Sequence, residues 1–214
     1  MTEFRLGRGA IAAGASLDGD ARHPLLITLY SGWVLRLRLS PSGQETVLGI
    51  ALPGDLIGVQ TILSEKGGLR LRALTDVTFC QFDPARWRAL FAVPSLAERF
   101  CRIEALARQE AEERRAAMAS LSAAGNLSHF LLGLYDGLRS RKLAREGSFH
   151  LPLARNQMAA LLGMTTMHLR RTLAGLAEAN VLEISSDRVL LYSLPRMRSL
   201  AGNPVMSKAP RPLL

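Results

Sequence analysis

The chain has 214 residues, 48% of them hydrophobic, and is therefore long enough for two small domains that each bury a core. Its net charge of +9 indicates a polyanionic partner, and the segment from Ser122 onward carries most of it, with 12 Lys and Arg against 5 Asp and Glu. No apolar run approaches the roughly 20 residues that cross a bilayer, so we expect a cytoplasmic protein that does not enter a membrane. Two cysteines, Cys80 and Cys101, are too few for a disulfide framework and too far apart for a zinc knuckle.

The N-terminal part predicts a small β-domain behind a loose arm. Residues up to about Arg22 are rich in Gly, Ala and Arg without a sustained period, which predicts a loosely held arm. From Pro24 to Phe82, short β-type runs alternate with turn residues, a spacing typical of a small barrel or a double-sheet roll. The predicted strands are LLITLY, WVLRLRL, ETVLGIAL, LIGVQTIL, LRLRAL and VTFCQF.

A long helix follows this β-domain. Asp83-Pro84 begins a helical region and Pro94-Ser95 restarts it, after which no helix breaker occurs until about Leu121. A narrow apolar stripe on this otherwise charged helix favours pairing with a second copy of the chain, although the helix could instead lie along its own β-domain. The predicted dimer seam comprises Leu96, Phe100, Ile103, Ala107, Met118 and Leu121.

The next segment predicts a hinge at residues 123–126 and a second helix through Leu127 to Leu138, which ends in a basic cluster. Gly147 to Leu153 is interpreted as a linker. The predicted domains are a β-roll over 1–93, a dimerisation helix over 94–122, a winged helix-turn-helix over 123–200 and a mobile tail over 201–214.

The stretch from Leu153 to Leu176 predicts two short helices around a glycine turn. Met158, Leu161 and Leu162 have the spacing of one helix face, and Gly163 ends that helix because glycine accepts a left-handed conformation. This arrangement alone is equally typical of an ordinary core hairpin.

The second helix of this pair has a polar and basic outer side, which a core hairpin does not need. Thr165 is its predicted N-cap. Its inner side carries Leu169, Leu173 and Leu176. Its outer side carries Thr166, Met167, His168, Arg170 and Arg171. Two β-rich runs around Ser185-Ser186-Asp187, within Val181 to Leu194, then predict a hairpin. A hairpin directly after a helix-turn-helix is the wing of a winged helix. In such a domain, the second helix of the helix-turn-helix enters the DNA major groove.

The order of these parts resembles the CRP/FNR superfamily of bacterial transcription regulators over roughly Leu25 to Leu200. Two stretches carry the resemblance: GDLIG at Gly54 to Gly58, and the helix-turn-helix segment with its Thr-x-x-His-x-x-Arg-Thr-Leu pattern, which looks like an α-proteobacterial branch. The resemblance implies an α+β fold with an N-terminal cyclic-nucleotide-binding-type β-roll, a long dimerisation helix and a C-terminal winged helix-turn-helix. It also implies double-stranded DNA, a second copy of the chain and RNA polymerase as candidate partners.

Single residues of the recognition helix depart from better-known members. Arg171 matches an arginine that contacts guanine and phosphate in the family, and its guanidinium can meet O6 and N7 of guanine together. Met167 stands where those members place a glutamate that accepts a hydrogen bond from cytosine, so their half-site cannot be carried over. Thr166, His168 and Arg170 remain as candidate base readers, or as residues that contact only phosphate.

The β-roll also departs from the cyclic-AMP binders that it resembles. Val59 stands where they have a glutamate for the ribose, and residues 66–68 fall where they have an Arg-Ser pair for the cyclic phosphate. Arg70 and Arg72 are near, but their alternation assigns them to a strand beyond the phosphate loop. We therefore expect a retained roll without a nucleotide site.

Other cofactors of the resembled family fit poorly. Its oxygen-sensing members hold an iron–sulfur cluster through four cysteines, more than this chain has. Haem would need ligands such as His23, His129 or His150, and a lone histidine is more often a surface or hydrogen-bonded residue. We expect no bound cofactor and no metal.

The sequence thus predicts a homodimeric, sequence-specific transcription regulator that binds an inverted-repeat operator and does not respond to cyclic AMP. The alternative is a signal-binding module that binds nucleic acid only non-specifically. An enzyme is disfavoured, because the sequence shows no Ser/His/Asp, metal-ligand or paired-carboxylate constellation.

Overall fold

A computed structural model describes residues 5–19, 23–40, 42–63 and 68–202. They form two compact units, the first ending at Glu104 and the second beginning at Ala105. Along the described ranges, no helix is both long and apolar enough to span a membrane.

The first unit is a β-roll made of two four-stranded antiparallel sheets, as the described residues show. Its strands are β1 (Arg5–Ile11), β2 (Ser16–Gly19), β3 (Ile27–Ser31), β4 (Val34–Leu39), β5 (Glu45–Ala51), β6 (Leu56–Ile57), β7 (Leu69–Ala73) and β8 (Val77–Phe82). One sheet has the order β1-β8-β3-β6 and the other β2-β7-β4-β5. Leu29, Val34, Leu71 and Phe79 belong to the apolar core of this roll.

The prediction of a loosely held N-terminal arm is wrong, because β1 and β2 each pair with a strand from the far end of the roll. Arg8 lies opposite Cys80 on β8, and Asp18 lies opposite Arg70 on β7. A Cβ on Gly9 would come within 2.4 Å of the Phe79 ring, so the glycine lets β1 lie directly over that side chain.

The predicted strand LIGVQTIL is mostly helix, whereas the other five predicted strands are confirmed. Gly58 has a φ of +97°, which ends β6, and helix α1 (Val59–Leu63) follows. The Thr61 amide and hydroxyl both donate to the Gly58 carbonyl, at 2.9 and 2.6 Å, and so close the first helical turn.

Helix α2 (Pro84–Ala89) begins as predicted, since the Asp83 carboxylate accepts from the Ala85 amide at 2.9 Å. A 3₁₀ turn at Leu90–Ala92 leads to the predicted long helix, α3 (Pro94–Ser120). The prediction that Phe100 lies on a dimer seam is wrong. Its ring is only 8% exposed and packs against Trp87 and Phe91, with ring centroids 6.1 and 4.9 Å apart, in the core of its own unit.

The remaining seam residues are not in a core. Leu96 and Met118 are 38% and 41% exposed, Ala107 is exposed, and Ile103 and Leu121 are half-buried. Along α3, which is described over its whole length, the buried side chains are those of Phe100 and Ala117. Most of the apolar stripe is therefore uncovered by this chain.

The second unit contains four helices and a three-stranded sheet after the end of α3, within the described residues. The elements are α4 (Ala123–Ser140), β9 (Ser148–His150), α5 (Arg155–Leu161), α6 (Thr166–Glu178), β10 (Leu182–Ser185), β11 (Arg188–Leu191) and α7 (Leu194–Leu200). The sheet has the order β10-β11-β9. Leu127, Leu131, Tyr135 and Leu138 of α4 are at most 1% exposed and supply much of the core.

Two predictions for this unit are wrong, and a third needs a different end point. The predicted hinge at 123–126 is the first turn of α4, and the break lies at Leu121-Ser122, where the Ser122 hydroxyl caps α4 by accepting from the Gly125 amide. The predicted linker after Gly147 contains β9. The predicted hairpin is confirmed but ends at Leu191, and α7 follows it. The predicted mobile tail lies outside the described residues from 203 onward.

Candidate nucleic-acid interface

The first helix of the predicted helix-turn-helix is α5, and it is held by its apolar side. Met158 and Leu161 are 1% and 5% exposed, and Leu162 ends the helix at 3% exposure. Gly163 has a φ of +64°, as the sequence predicted for the turn. The Gln157 side chain accepts from the Ala154 amide at 2.9 Å, which satisfies a donor just before the helix begins.

The second helix, α6, begins at the predicted cap. Thr165 is extended, with φ −74° and ψ 155°, and its hydroxyl accepts from the His168 amide at 3.1 Å. Leu169 and Leu176 are 0% and 5% exposed and anchor the helix. The inner side of α6 is thereby fixed, and the opposite side is left to solvent.

The structure brings all predicted site residues together on that solvent side. Each of the following is exposed: Thr165, Thr166, Met167, His168, Arg170 and Arg171. The only carboxylate on α6 is Glu178, at its far end, so the exposed face near the N-terminus is positive. Backbone amides at a helix start add partial positive charge there, and the face is suited to a polyanion.

The turn between α5 and α6 is tied to α4 by a buried hydrogen bond. The Asn126 amide nitrogen donates to the Leu162 carbonyl at 3.0 Å, and Asn126 is only 5% exposed. A Cβ on Gly163, the next residue, would lie 2.7 Å from the Met118 methyl group, so the glycine lets Met118 approach closely. The last turn of α3 and the first turn of α4 therefore both contact the turn that positions α6.

The wing is held to the rest of the unit by contacts that the sequence did not reveal. Ser186 has a φ of +53° at the hairpin turn, and the Arg155 guanidinium of α5 donates to the Ile184 carbonyl of β10 at 3.1 Å. His150 Nε2 and an Asp187 carboxylate oxygen are 2.7 Å apart, which joins β9 to the turn. Because β9 has only three residues, its alternation is too short to signal a strand.

The β-roll uses its arginines differently. Arg70 donates to Asp18 at 2.7 and 2.6 Å and to Glu45 at 2.9 Å, while Arg72 donates to both Glu45 oxygens at 2.7 and 2.9 Å. The hydrogen bond from Arg70 is the main cause that holds the pKa values of both carboxyl groups below their usual range. Both arginines lie on β7, as their alternation predicted.

The GDLIG stretch contains the end of the turn after β5, the short strand β6 and the glycine that ends β6. Gly54 and Gly58 have φ values of +92° and +97°, and the buried Asp55 carboxylate accepts from the Leu52 amide at 3.0 Å. Val59, which follows this turn, is 3% exposed and packs with Leu26 and other apolar side chains. Lys66 and Gly67 lie outside the described residues.

The candidate haem ligands are dispersed among elements. His23 precedes β3, His129 is on α4, where burial lowers its pKa, and His150 is on β9. Within the part of the chain that the structure describes, no group of three or more His, Cys, Asp or Glu side chains could hold a metal ion.

The class of protein follows from three parts: a β-roll, a long helix, and a winged helix-turn-helix with a basic exposed face. This combination defines a DNA-binding transcription regulator. Family models agree, since residues 126–200 match the Crp-like helix-turn-helix domain and residues 18–93 match the cyclic nucleotide-binding domain. Over 171 residues the chain is 30% identical to the nitrogen fixation regulation protein FixK of Bradyrhizobium diazoefficiens, a match that covers 79% of this chain and 71% of the relative. The chain belongs to the CRP/FNR superfamily, whose members are transcription regulators and not enzymes.

Further relatives and solved structures extend this likeness. The chain is 26% identical to the transcriptional activatory protein AadR of Rhodopseudomonas palustris, over 82% of this chain and 72% of the relative. FixK2 from Bradyrhizobium japonicum has a TM-score of 0.76 and 21% identity, over 90% of this chain and 96% of that one. A CRP-family transcriptional regulator from Thermus thermophilus has a TM-score of 0.72 and 19% identity, over 94% and 100%. At these identities, the two solved structures support the fold alone.

Proposed function

We propose that this regulator acts as a homodimer in the cytoplasm and that the α6 helices of the two copies read an inverted-repeat operator. The observation that carries the proposal is the exposed face of α6, where Met167, Arg170 and Arg171 lie within the first two turns while Leu169 and Leu176 hold the opposite side. A helix presented in this way fits the major groove, which is about 12 Å wide.

Roles on this face follow from side-chain chemistry. Arg171 donates to O6 and N7 of a guanine, a bidentate contact that discriminates against other bases. Thr166, His168 and Arg170 contact neighbouring base edges or phosphates, and Thr165 lies at the helix start beside the phosphate backbone. RNA polymerase remains an expected partner of such a regulator.

The uncovered stripe of α3 supports the dimer. Leu96, Ile103, Ala107, Met118 and Leu121 are all at least partly exposed, on a helix of 27 residues that is otherwise rich in charge. A second α3 laid against this stripe would bury it. In such a dimer, the two recognition helices reach half-sites about one duplex turn apart, or roughly 34 Å.

The test is selection of bound duplexes from a random pool, followed by mass measurement of the protein with and without the selected duplex. We expect an inverted repeat, a dimer at micromolar concentration, and affinity about 10³–10⁷ times that for random DNA. A monomer, or an asymmetric single site, would contradict the dimer. Equal affinity for selected and random duplexes would favour the alternative, non-specific module.

We also propose that cyclic AMP is not the effector. A cyclic phosphate keeps its charge at physiological pH, and burying it without a partner costs several kcal/mol. The arginines that follow the expected phosphate loop in the sequence, Arg70 and Arg72, already donate to Asp18 and Glu45. Val59 has no oxygen that could accept a hydrogen bond from the ribose.

Calorimetric titration with cyclic AMP and cyclic GMP tests this second proposal. We expect no binding at micromolar nucleotide and no change in operator affinity. Micromolar binding that tightens the operator complex would contradict the proposal and would make Arg70 and Arg72 the first candidates for a phosphate ligand.

A further inference from the structure

The most exposed large apolar side chain of the second unit, among its described residues, lies on the DNA-facing helix. Met167 is 69% exposed on the first turn of α6, between the polar residues Thr166 and His168. Arg170 and Arg171 follow it by three and four positions, so that the three side chains share one face of the helix. In a complex with DNA, this methionine therefore lies beside the guanidinium groups that meet the groove.

Methionine can read only a narrow set of features on DNA. Its thioether sulfur is a weak acceptor without a donor, so it cannot recognise the polar edges that distinguish most base pairs. The apolar group that the major groove presents is the C5-methyl of thymine. An unbranched, adaptable side chain such as methionine can follow that methyl group closely.

We infer that Met167 contacts the C5-methyl group of one thymine in each half-site. One helical turn rises about 5.4 Å and base pairs stack about 3.4 Å apart, so that this thymine lies one or two base pairs from the guanine read by Arg171. The inference rests on the proposed function, because it requires α6 in the major groove. The operator of this protein should therefore have an A·T pair at the position where family members with a glutamate read cytosine.

The contact has a predictable size. Burial of one methyl group corresponds to about a fourfold change in Kd, and to roughly 15-fold when both half-sites of a dimer lose it. The effect is confined to one position in each half-site, since it depends on a single side chain.

Uracil provides the test, because it pairs with adenine as thymine does and lacks only the methyl group. The selected operator is synthesised with deoxyuridine in place of thymine at one symmetric pair of positions at a time, and Kd is measured for the wild type and for Met167→Ala. We expect one position at which uracil weakens the wild type by roughly 15-fold and leaves Met167→Ala unaffected. His168→Ala is the matched control, since it changes an exposed neighbour on the same turn and should keep the full response to uracil.

The outcomes separate this inference from the proposed function. If the wild type binds its operator specifically but responds to uracil at no position, or if Met167→Ala responds as strongly as the wild type, the inference is overturned and the proposed function stands. If the wild type does not distinguish the selected duplex from random DNA, the proposed function fails and the inference with it. Met167 is exposed, and alanine is a good helix former, so the variant should fold as the wild type does.

Discussion

The arginines of the β-roll and those of the winged helix lie in opposite surroundings. Arg70 and Arg72 sit on β7, with Asp18 on the adjacent strand β2 and Glu45 on β5, two strands away, and their guanidinium groups are engaged within the sheet. Arg170 and Arg171 sit on a helix whose only carboxylate is at its far end, and they are exposed. The same residue type is therefore structural in one unit and available for a partner in the other, and the neighbouring acidic residues make the difference.

The largest effect is expected from a substitution in the GDLIG stretch of the β-roll. A Cβ on Gly58 would come within 1.6 Å of the Leu25 carbonyl oxygen, at a φ of +97°. Gly58→Ala should therefore lower the free energy of unfolding by about 3 kcal/mol or more. Both tryptophans of the chain, Trp33 and Trp87, lie in the roll, so denaturant titration followed by their fluorescence measures this unit.

Gly43→Ala is the matched control for that prediction. Gly43 also has a positive φ, +82°, but a Cβ there meets nothing within 4 Å. Only the backbone penalty of about 1–2 kcal/mol remains. Equal losses in the two variants would show that the close approach of Gly58 to Leu25 is unimportant.

The second prediction concerns the exposed arginine of the other unit. Arg171→Ala should weaken operator binding by about 1–3 kcal/mol for each half-site and relax the choice at one base pair. Arg171→Lys is the control, because it keeps the charge but loses the bidentate geometry, and it should lose specificity while keeping affinity for random DNA. If Arg171→Ala loses as much affinity for random DNA as for the operator, then Arg171 does not read a guanine.

The third prediction tests the link between α4 and the helix-turn-helix. Asn126→Asp replaces the amide that donates to the Leu162 carbonyl by a group without a donor, inside the core. We expect a loss of about 1–3 kcal/mol, confined to the second unit. Hydrogen exchange of the α5 and α6 amides measures it, while tryptophan fluorescence should be unchanged. Asn156→Asp makes the same change of charge at an exposed position and should protect these amides as the wild type does.

The smallest effect is expected from the ion pairs of the roll. The hydrogen bonds from Arg70, and then from Arg72, lower the pKa of Glu45 in the folded state, so its contribution to stability is present at neutral pH and is lost progressively as the pH falls through the lowered pKa. Glu45→Gln should therefore lower the thermal midpoint slightly at pH 7, and this difference should shrink as the pH falls below the ordinary pKa of a glutamate. Glu98→Gln, on the surface of α3, should leave the midpoint unchanged throughout. A difference for Glu45→Gln that does not shrink at acidic pH would contradict this assignment.

The elements that the sequence predicted are those set by local periodicity or by caps. The spacing of apolar residues in α3, α4, α5 and α6 is sufficient to locate each helix, and the cap at Thr165 and the turn at Gly163 follow from single residues. The same local signals placed every candidate DNA-binding residue on one exposed face. The wing hairpin follows from its turn residues.

The elements that were missed depend on distant partners. The strand β1 has little β-propensity of its own. It forms because it pairs with β8, which lies some 70 residues later in the sequence, and because Gly9 of β1 fits over the Phe79 ring of β8. Phe100 has the spacing of a seam residue, but only the position of Trp87 and Phe91 in three dimensions shows that it faces its own core. Likewise, the bond from Asn126 to Leu162 joins residues 36 apart and has no counterpart in the local pattern.

The hydroxyl of Thr165 has two uses that an aspartate cap could not combine. It accepts from the His168 amide, and a hydroxyl that accepts one hydrogen bond still has its own proton to donate, here to a phosphate oxygen of the proposed complex. Aspartate at this position would cap the helix as well and would suit its dipole, but it has no proton to give and would place a negative charge against the phosphate. Selection for heat resistance alone would therefore accept aspartate at position 165, whereas selection for DNA binding would reject it. Both requirements act on the side-chain oxygen of this one residue.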